Sequence, residues 1–213
     1  MADRLKPRRY DSPRRRRQAA ATRSEILAAA LRLFEQRGYT ATSMAAIAAE
    51  AGVALKTVYL AFQTKRGLLL ALWHLLLRGD EEPMPVGERP WFREVMDERD
   101  PERMLRLNAR NSRIVKERAG TLLEILRSAA PTDAELDALW TRIQAELYDN
   151  QHSIVERLQK NHALRPGLGV DRGADILWTL NHPNLYRLLV GDRGWTSEQY
   201  EEWLGDAFCS QLL

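Results

Sequence analysis

The sequence contains a single cysteine, Cys209, in a chain of 213 residues. One cysteine cannot form an intrachain disulfide, and we therefore expect a protein of the reducing cytoplasm. No run of apolar residues approaches the ~20 that would span a bilayer. The N-terminal segment RLKPRRYDSPRRRR lacks the apolar centre of a signal peptide, so we predict no association with a membrane.

Residue groupings that would support catalysis are also missing. No nucleophile motif built on Ser, Cys or Lys is present, and the four histidines are scattered along the chain. Asp149 and His152 have the spacing of a metal-binding pair, but no second acid–histidine pair exists to complete a di-metal site. We predict that the protein is not an enzyme and that it binds no metal and no cofactor.

No segment shows the sustained alternation of apolar and polar residues that is typical of a strand. The predicted fold is therefore all-α. Thr22 is a candidate N-cap whose capping box is completed by Glu25, so the first helix is predicted to begin there. Before it, residues 1–21 are polar, proline-punctuated and arginine-rich, which predicts a disordered arm. A connector rich in proline and acidic residues is predicted over 80–90, and Pro183 should kink or restart a later apolar segment.

Charge is unevenly distributed along the chain. The first 66 residues carry a net charge of +9, whereas residues 67–213 carry −6. A polyanion is the natural partner for the basic end. The run from Arg14 to Arg17 can contact the backbone or the minor groove of DNA, although such runs also occur simply to keep a protein soluble.

The basic end leads into a pattern typical of a helix-turn-helix. The segment from Ser43 to Lys65, SMAAIAAEAGVALKTVYLAFQTK, contains two short predicted helices joined by a turn at Gly52. A helix pair of this size behind an arginine-rich arm places its second helix in the major groove of DNA. We therefore predict a DNA-binding domain over residues 22–66.

The second helix of this pair has two faces on a helical wheel. Val58 and Phe62 fall together and should pack inward. Lys56, Thr57 and Leu60 fall on the other side, where a lysine can meet guanine acceptors and a leucine a thymine methyl. This face is predicted to read bases.

Phosphate contacts are predicted at Ser43, Tyr59 and Lys65, because a helix N-terminus, a hydroxyl or an ammonium can hold a phosphate. The full set of candidate DNA-binding residues is Arg14, Arg15, Arg16, Arg17, Thr42, Ser43, Leu55, Lys56, Thr57, Tyr59, Leu60 and Lys65.

The run TRSEILAAALRLFEQRGYTATSMAAIAAEAGVALKTVYLAFQTKRGLL resembles the N-terminal domain of the tetracycline-repressor (TetR) family. The resemblance implies a homodimer whose two recognition helices enter successive major grooves of a near-palindromic operator in double-stranded DNA. Members often carry His or Tyr where this chain has Ala61, so no DNA contact is assigned to that position. The matching landmarks are Phe34, Gly38, Tyr39, Thr42, Ser43, Ile47, Ala48, Ala51, Gly52, Val53, Thr57, Tyr59, Phe62, Lys65 and Leu68.

Residues 67–213 look like the helical effector-binding and dimerisation domain of that family. Several polar side chains lie among the apolar residues of its predicted helices, and burying them unpaired would cost about 1–3 kcal/mol each. Their partners can be other protein groups or a ligand in a cavity, and both alternatives stay open. The candidate ligand-binding residues are Asn108, Asn111, Ser112, Trp140, Gln144, Tyr148, Trp178 and Asn181.

Two segments are the candidates for dimerisation. One is the apolar stretch that ends LYRLL, and the other is the last helix, from Tyr200 to Leu213. In the last helix, the side chains of Trp203, Leu204 and Phe208 would expose a large apolar surface on a monomer. The alternative is that both segments only cover their own domain.

These features predict a dimeric, DNA-binding transcriptional regulator, and more specifically a repressor that a small organic effector releases from its operator. One alternative is a regulator without a small ligand, which acts as an activator or responds to a partner protein. Another is a helical enzyme that uses the basic arm for nucleic-acid substrates, although no catalytic constellation supports it.

Overall fold

The computed structural model describes residues 13–78 and 86–213, and the prediction of an all-α fold is confirmed over these ranges, which contain no strand. Two 3₁₀ turns, Val86–Glu88 and Ala130–Thr132, and a π-helical segment, Arg187–Asp192, complete the regular structure. The helices are α1 (Pro13–Ala41), α2 (Met44–Glu50), α3 (Leu55–Phe62), α4 (Lys65–Arg78), α5 (Pro90–Asp97), α6 (Pro101–Ala129), α7 (Ala134–Lys160), α8 (Val170–Leu180), α9 (Pro183–Tyr186) and α10 (Ser197–Leu212).

The first helix begins earlier than the sequence predicted. It starts at Pro13 rather than at Thr22, so residues 13–21, which were predicted to be disordered, are helical. The reason is the local composition RRRRQAAA, since arginine, glutamine and alanine all favour a helix. The remainder of the predicted arm, residues 1–12, lies outside the described residues.

The chain forms two compact units that divide between Leu69 and Leu70. In the first unit, α1 supplies Ile26 and Phe34 to a core that Ile47 of α2 and Val58 of α3 complete, and all four are at most 1 % exposed. Burial of this apolar surface is what holds the short helices α2 and α3, since helices of their length are not stable alone.

In the second unit, the long helices α6 and α7 pack against α10 and α8 respectively. A Cβ atom at Gly173 of α8 would lie 2.8 Å from Cγ1 of Val155 in α7, so the close approach of these two helices requires glycine. Ion pairs from Arg106 to Asp206 (2.9 Å) and from Arg113 to Glu201 (2.5 Å) join the partly exposed edges of α6 and α10.

One boundary in the second unit differs from the sequence-based expectation, and another agrees with it. Helix α5 and the turn before it occupy part of the predicted connector, of which residues 80–85 lie outside the described ranges. The expected restart at Pro183 is confirmed, because α8 ends at Leu180 and Pro183 opens α9.

The apolar face of α10 is buried within its own chain. Leu204, Phe208 and Leu212 are each 0 % exposed. The expectation that these side chains would be exposed on a monomer is therefore wrong, because α6 and α8 cover them. Leu188 and Leu213 remain exposed.

Within the described ranges, no single helix is long and apolar enough to cross a membrane. The α2–α3 pair meets the length and composition criteria jointly, but it is bent by 112°.

Candidate functional site

The geometry of the α2–α3 pair follows from its caps and its turn. Ser43 caps α2, its hydroxyl oxygen accepting a hydrogen bond from the backbone N–H of Ala46 at 3.1 Å. Gly52 has a φ of 66°, and Val53 N–H donates to the carbonyl of Ala48 at 3.0 Å. Glycine suits this left-handed position, and the turn sends α3 away from α2 at a steep angle.

The two faces of α3 differ strongly in exposure. Val58 is completely buried and Phe62 is 6 % exposed, whereas Leu60 is 76 % exposed. Lys56 is also exposed, and Tyr59 is about half exposed. The outer face therefore presents an ammonium, a hydroxyl and an apolar side chain together, and this is a set of groups that can meet base edges and phosphates.

Arg23 of α1 fixes the end of α3 that carries this face. Its guanidinium lies 4.2 Å from the centroid of the Phe62 ring, and its Nη1 donates a hydrogen bond to the carbonyl of Ala61 at 2.9 Å. Sequence reasoning missed this residue, because the contact joins positions 38 residues apart and depends on how α1 and α3 pack.

We expect replacement of Arg23 by alanine to lower the free energy of unfolding by about 1–2 kcal/mol, since it removes both a cation–π interaction and a hydrogen bond. Chemical denaturation of the purified protein measures the change. Arg37→Ala, which removes an exposed arginine of the same helix, is the matched control and should change the stability little. Equal effects of the two substitutions would contradict the assigned role.

Two of the candidate DNA-binding residues, Thr42 and Lys65, instead form hydrogen bonds to backbone carbonyls of the first unit. Thr42 is 1 % exposed, and its hydroxyl lies 2.8 Å from the carbonyl oxygen of Gly38 and 3.2 Å from that of Leu33. Its side chain is therefore not available to DNA, and this prediction is corrected. The hydroxyl satisfies carbonyls at the point where α1 ends.

Lys65 also differs from its prediction as a phosphate ligand. Its ammonium donates hydrogen bonds to the carbonyls of Tyr39 and Thr42, both at 2.8 Å, and lies 4.2 Å from the centroid of the Tyr39 ring. These contacts attach the start of α4 to the end of α1, so we assign Lys65 to this junction rather than to phosphate.

The remaining predicted contacts lie at the surface of the first unit. Arg14, Arg15, Arg16 and Arg17 are all exposed and lie in the first turns of α1. Leu55 is 41 % exposed at the start of α3. A helical segment carrying four arginines presents its charges in a fixed arrangement, unlike the flexible arm that the sequence suggested.

A second candidate site is a partly open cavity of about 60 Å³ in the second unit. Its wall combines aromatic rings with amide side chains, as small-molecule sites do. The predicted residues Asn108, Asn111, Ser112 and Asn181 all lie in this wall. The other lining residues are Trp73, Val86, Trp91, Phe92, Val115, Lys116, Leu123, Leu147, Asn150, Gln151 and Pro183.

The amides in the wall also bond to protein groups. Asn108 donates to Oε1 of Gln151 at 2.9 Å, and Asn111 donates to the backbone carbonyl of Trp91 at 3.0 Å. Of the two alternatives considered for these side chains, the structure shows the hydrogen bonds to protein groups. Each amide carries two N–H groups and an oxygen and uses only part of that capacity, so binding of a ligand stays a prediction.

A smaller cavity of about 20 Å³ shares four wall residues with the first, among them Gln151 and Asn181. It brings in Gln144 and Trp178 from the predicted set. Both polar atoms of the Gln144 amide are shielded from solvent, and neither has a hydrogen-bond partner. Buried amides without partners are uncommon, which marks this cavity as a place where a polar group can bind.

Two predicted pocket residues lie elsewhere. Trp140 and Tyr148 line neither cavity, and the Tyr148 ring instead packs against that of His152 with centroids 6.2 Å apart. Their predicted role in ligand binding is corrected, although Gln144 of the same helix does reach the smaller cavity.

Lys116 of α6 is the charged side chain in the wall of the main cavity. It is 5 % exposed, and its ammonium donates a hydrogen bond to Oδ1 of Asn181. Burial lowers the pKa of Lys116 to about 7, because a charged ammonium loses its hydration there. Sequence reasoning assigned no role to this residue, because a lysine is ordinarily solvated.

Comparisons with known proteins agree with the geometry of the first unit. Residues 26–72, which include α2 and α3, match the family model described as "Bacterial regulatory proteins, tetR family". The transcriptional regulator AcrR of Shigella flexneri is 28 % identical over 202 residues, which cover 89 % of this chain and 81 % of that protein. Residues 26–72 therefore form a TetR-family DNA-binding domain, and the chain is a DNA-binding transcriptional regulator of that type.

Solved structures of TetR-type regulators share the fold over about nine-tenths of the chain. NalD, described as the secondary repressor of the MexAB-OprM multidrug efflux pump in Pseudomonas aeruginosa, superposes with a TM-score of 0.72 at 23 % identity and covers 92 % of this chain and 98 % of its own. A SmeT–triclosan complex superposes with a TM-score of 0.69 at 20 % identity and covers 91 % and 92 %.

The family also bears on the question of catalysis. TetR-family regulators are not enzymes, so the predicted absence of enzymatic activity is confirmed by family membership. In the part of the chain that the structure describes, no group of three or more His, Cys, Asp or Glu residues is arranged to hold a metal ion. His152 instead lies 3.2 Å from Oδ1 of Asp171, on a different helix.

Proposed function

We propose that this TetR-family regulator is a homodimeric repressor that a small organic effector releases from a near-palindromic operator. The observation that carries the proposal is the cavity of the second unit, where an apolar wall and several polar side chains meet. NalD, a repressor, and SmeT, a triclosan-binding protein, support it as relatives in fold.

The size of the cavity suggests how release would work. A drug-sized molecule needs about 300 Å³ or more, so an effector must displace side chains in the wall of this cavity of about 60 Å³. One of them, Trp73, belongs to α4, the helix that begins at Lys65. We propose that an effector moves α4 and so disfavours the DNA-binding arrangement of the dimer.

On DNA, we propose that Lys56, Thr57 and Leu60 of α3 contact base edges and that Ser43 and Tyr59 contact phosphates. Arg14 to Arg17 would contact the sugar–phosphate backbone. The exposed Leu188 and Leu213 are the candidates for an interface between the C-terminal helices of two subunits, to be tested by analytical ultracentrifugation. A cytoplasmic location follows from the proposed role, since the operator lies there.

The test begins with selection of bound sequences from a random DNA library, and an inverted repeat is the expected result. Fluorescence anisotropy with the selected site then measures release by a panel of small organic compounds. At least one compound that binds the second unit should weaken operator binding tenfold or more. An asymmetric site would contradict the dimer, and compounds that bind without changing operator affinity would contradict the release mechanism.

Operator binding should weaken steeply with salt, because each phosphate that the protein neutralises releases condensed counterions. Replacing Arg14 to Arg17 with glutamine should make the slope of log K against log salt shallower by roughly 1 for each phosphate that is no longer neutralised. Titrations at several salt concentrations measure both slopes. An unchanged slope in the variant would show that these arginines serve solubility rather than DNA binding.

A regulator without a small ligand is the second candidate, and the small volume of the cavity favours it. In that case no compound in the panel would bind the second unit, while the operator selection would still succeed. The same experiments therefore separate the two candidates.

A further inference from the structure

Lys116 sits at an unusual place for a lysine. Its side chain lies in the wall of the main cavity, and its ammonium is 5.5 Å from the centroid of the Tyr200 ring. Its one hydrogen-bond partner among the described residues is the side-chain oxygen of Asn181. A neutral amide oxygen and an aromatic face each attract a cation, but neither carries the negative charge that would neutralise it.

Two carboxylates on the helices around Lys116 are paired with arginines. Glu124 bonds to Arg127 at 2.6 Å, and Glu201 bonds to Arg113 at 2.5 Å. Throughout the described ranges, no carboxylate lies within 4.0 Å of the Lys116 ammonium. The other titratable groups that face it are His182, whose pKa is lowered mainly by its burial and further by the Lys116 charge, and the buried Tyr200 hydroxyl, whose pKa is raised by burial.

An ammonium without a counter-charge is costly in such a place, because it has exchanged its hydration for a single hydrogen bond. An anion that entered the cavity would restore the missing charge pairing. A cationic compound would be repelled by the like charge of Lys116, and a neutral compound would leave the ammonium without a counter-charge. Such a wall is expected to favour anionic ligands over cationic and neutral ones.

We propose that the effector of this cavity is a small organic acid, whose anionic group pairs with Lys116 and whose apolar body lies against Trp73, Trp91 and Phe92. This assignment rests on the proposed function and adds the chemical class of the ligand. The amide of Asn181, which already contacts the ammonium, lies where it can donate an N–H to the same anionic group. The unpartnered amide of Gln144 lies in the adjoining cavity, where it can bind a second polar group of a longer ligand.

Matched pairs of probes test the assignment, because an acid and its carboxamide differ in charge but hardly in shape. We suggest 2-naphthoate with 2-naphthamide, and octanoate with octanamide, measured by isothermal titration calorimetry on the full-length protein at pH 7. Each acid should bind at least tenfold more tightly than its amide. In Lys116→Met this preference should vanish, whereas in Lys160→Met, which removes an exposed lysine, it should persist.

Proton uptake gives a second readout that a merely structural role would not produce. At pH 8 a lysine with a pKa of about 7 is mostly neutral, and pairing with an anion returns its proton. Titrations in two buffers of different ionisation enthalpy should therefore show uptake of roughly half a proton or more per site for an acid, and none for an amide. Thermal unfolding confirms that the variants are folded.

The outcomes separate this inference from the proposed function. Amides that bind as tightly as acids, or a preference that survives in Lys116→Met, would overturn the inference, and so would the absence of binding by every acid at millimolar concentration. If the amides nevertheless release the protein from the operator, the proposed function stands without the assignment of an organic acid. An acid that binds through Lys116 but leaves operator affinity unchanged supports the anion site and contradicts the release mechanism.

Discussion

Replacement of Lys56 by alanine is expected to weaken operator binding about 10–100-fold while leaving the fold intact. The side chain projects from the outer face of α3, opposite the buried Val58 and Phe62, so its removal costs no packing. A lysine that reads the acceptors of a guanine contributes about 1–3 kcal/mol of discrimination, which corresponds to this loss of affinity. Fluorescence anisotropy with the selected operator measures the change, and circular dichroism checks the fold.

Lys160→Ala is the matched control, because it removes another exposed helical lysine from the second unit. It should change operator affinity by less than twofold. A second comparison separates base reading from phosphate binding. If Lys56 reads a base, Lys56→Ala loses affinity for the selected operator but little for operators changed at that one position. A loss shared equally by all sequences would instead assign Lys56 to the phosphate backbone.

The helix-turn-helix could be predicted from sequence because its signals are local. The cap at Ser43, the glycine turn at Gly52 and the inward spacing of Val58 and Phe62 all lie within a short stretch of chain. The predictions for two other residues in the same region were wrong for a different reason. Thr42 and Lys65 carry groups suited to phosphate, but carbonyls at the end of α1 use those groups, and this competition becomes visible only when the helices are placed.

Prediction of the cavity was partial, because its wall comes from helices far apart in sequence. Periodicity identified Asn108 and Asn111 as polar groups on a buried face, and the structure brings both to the cavity. Periodicity could not tell which edge of α7 faces the same space, so Trp140 was assigned wrongly. Lys116 was missed because a lysine is ordinarily solvated, and only the packing of α9 and α10 against α6 encloses it.

For the C-terminal helix, the sequence correctly predicts an apolar face but not which helices cover it. Leu204, Phe208 and Leu212 do form an apolar stripe, as predicted. Whether such a stripe packs within its own subunit or against another depends on the helices already beside it. Here α6 and α8 cover the stripe, so the proposed dimer must use the remaining exposed residues.

Replacement of Lys116 by methionine is expected to stabilise the protein at neutral pH. The folded state holds the pKa of this lysine at about 7, against an ordinary value of 10.5. Between those two values the unfolded chain binds a proton that the folded chain does not, so stability rises with pH from about 7 to 10.5. At about 1.4 kcal/mol for each pH unit, the penalty at pH 7 is on the order of 5 kcal/mol.

Methionine fills a similar volume without a charge, so Lys116→Met should recover much of that penalty at pH 7. It should recover only a small part near pH 10, because that pH is close to the ordinary lysine pKa of 10.5 and little of the penalty is left there. Urea denaturation of both proteins from pH 7 to pH 10 measures the difference, with Lys160→Met as the control for the loss of a lysine. A difference that stayed constant with pH would mean that packing, not the buried charge, distinguishes the two proteins. A difference that narrows towards pH 10 would identify Lys116 as a charge that the fold holds at a cost, as an anion site requires.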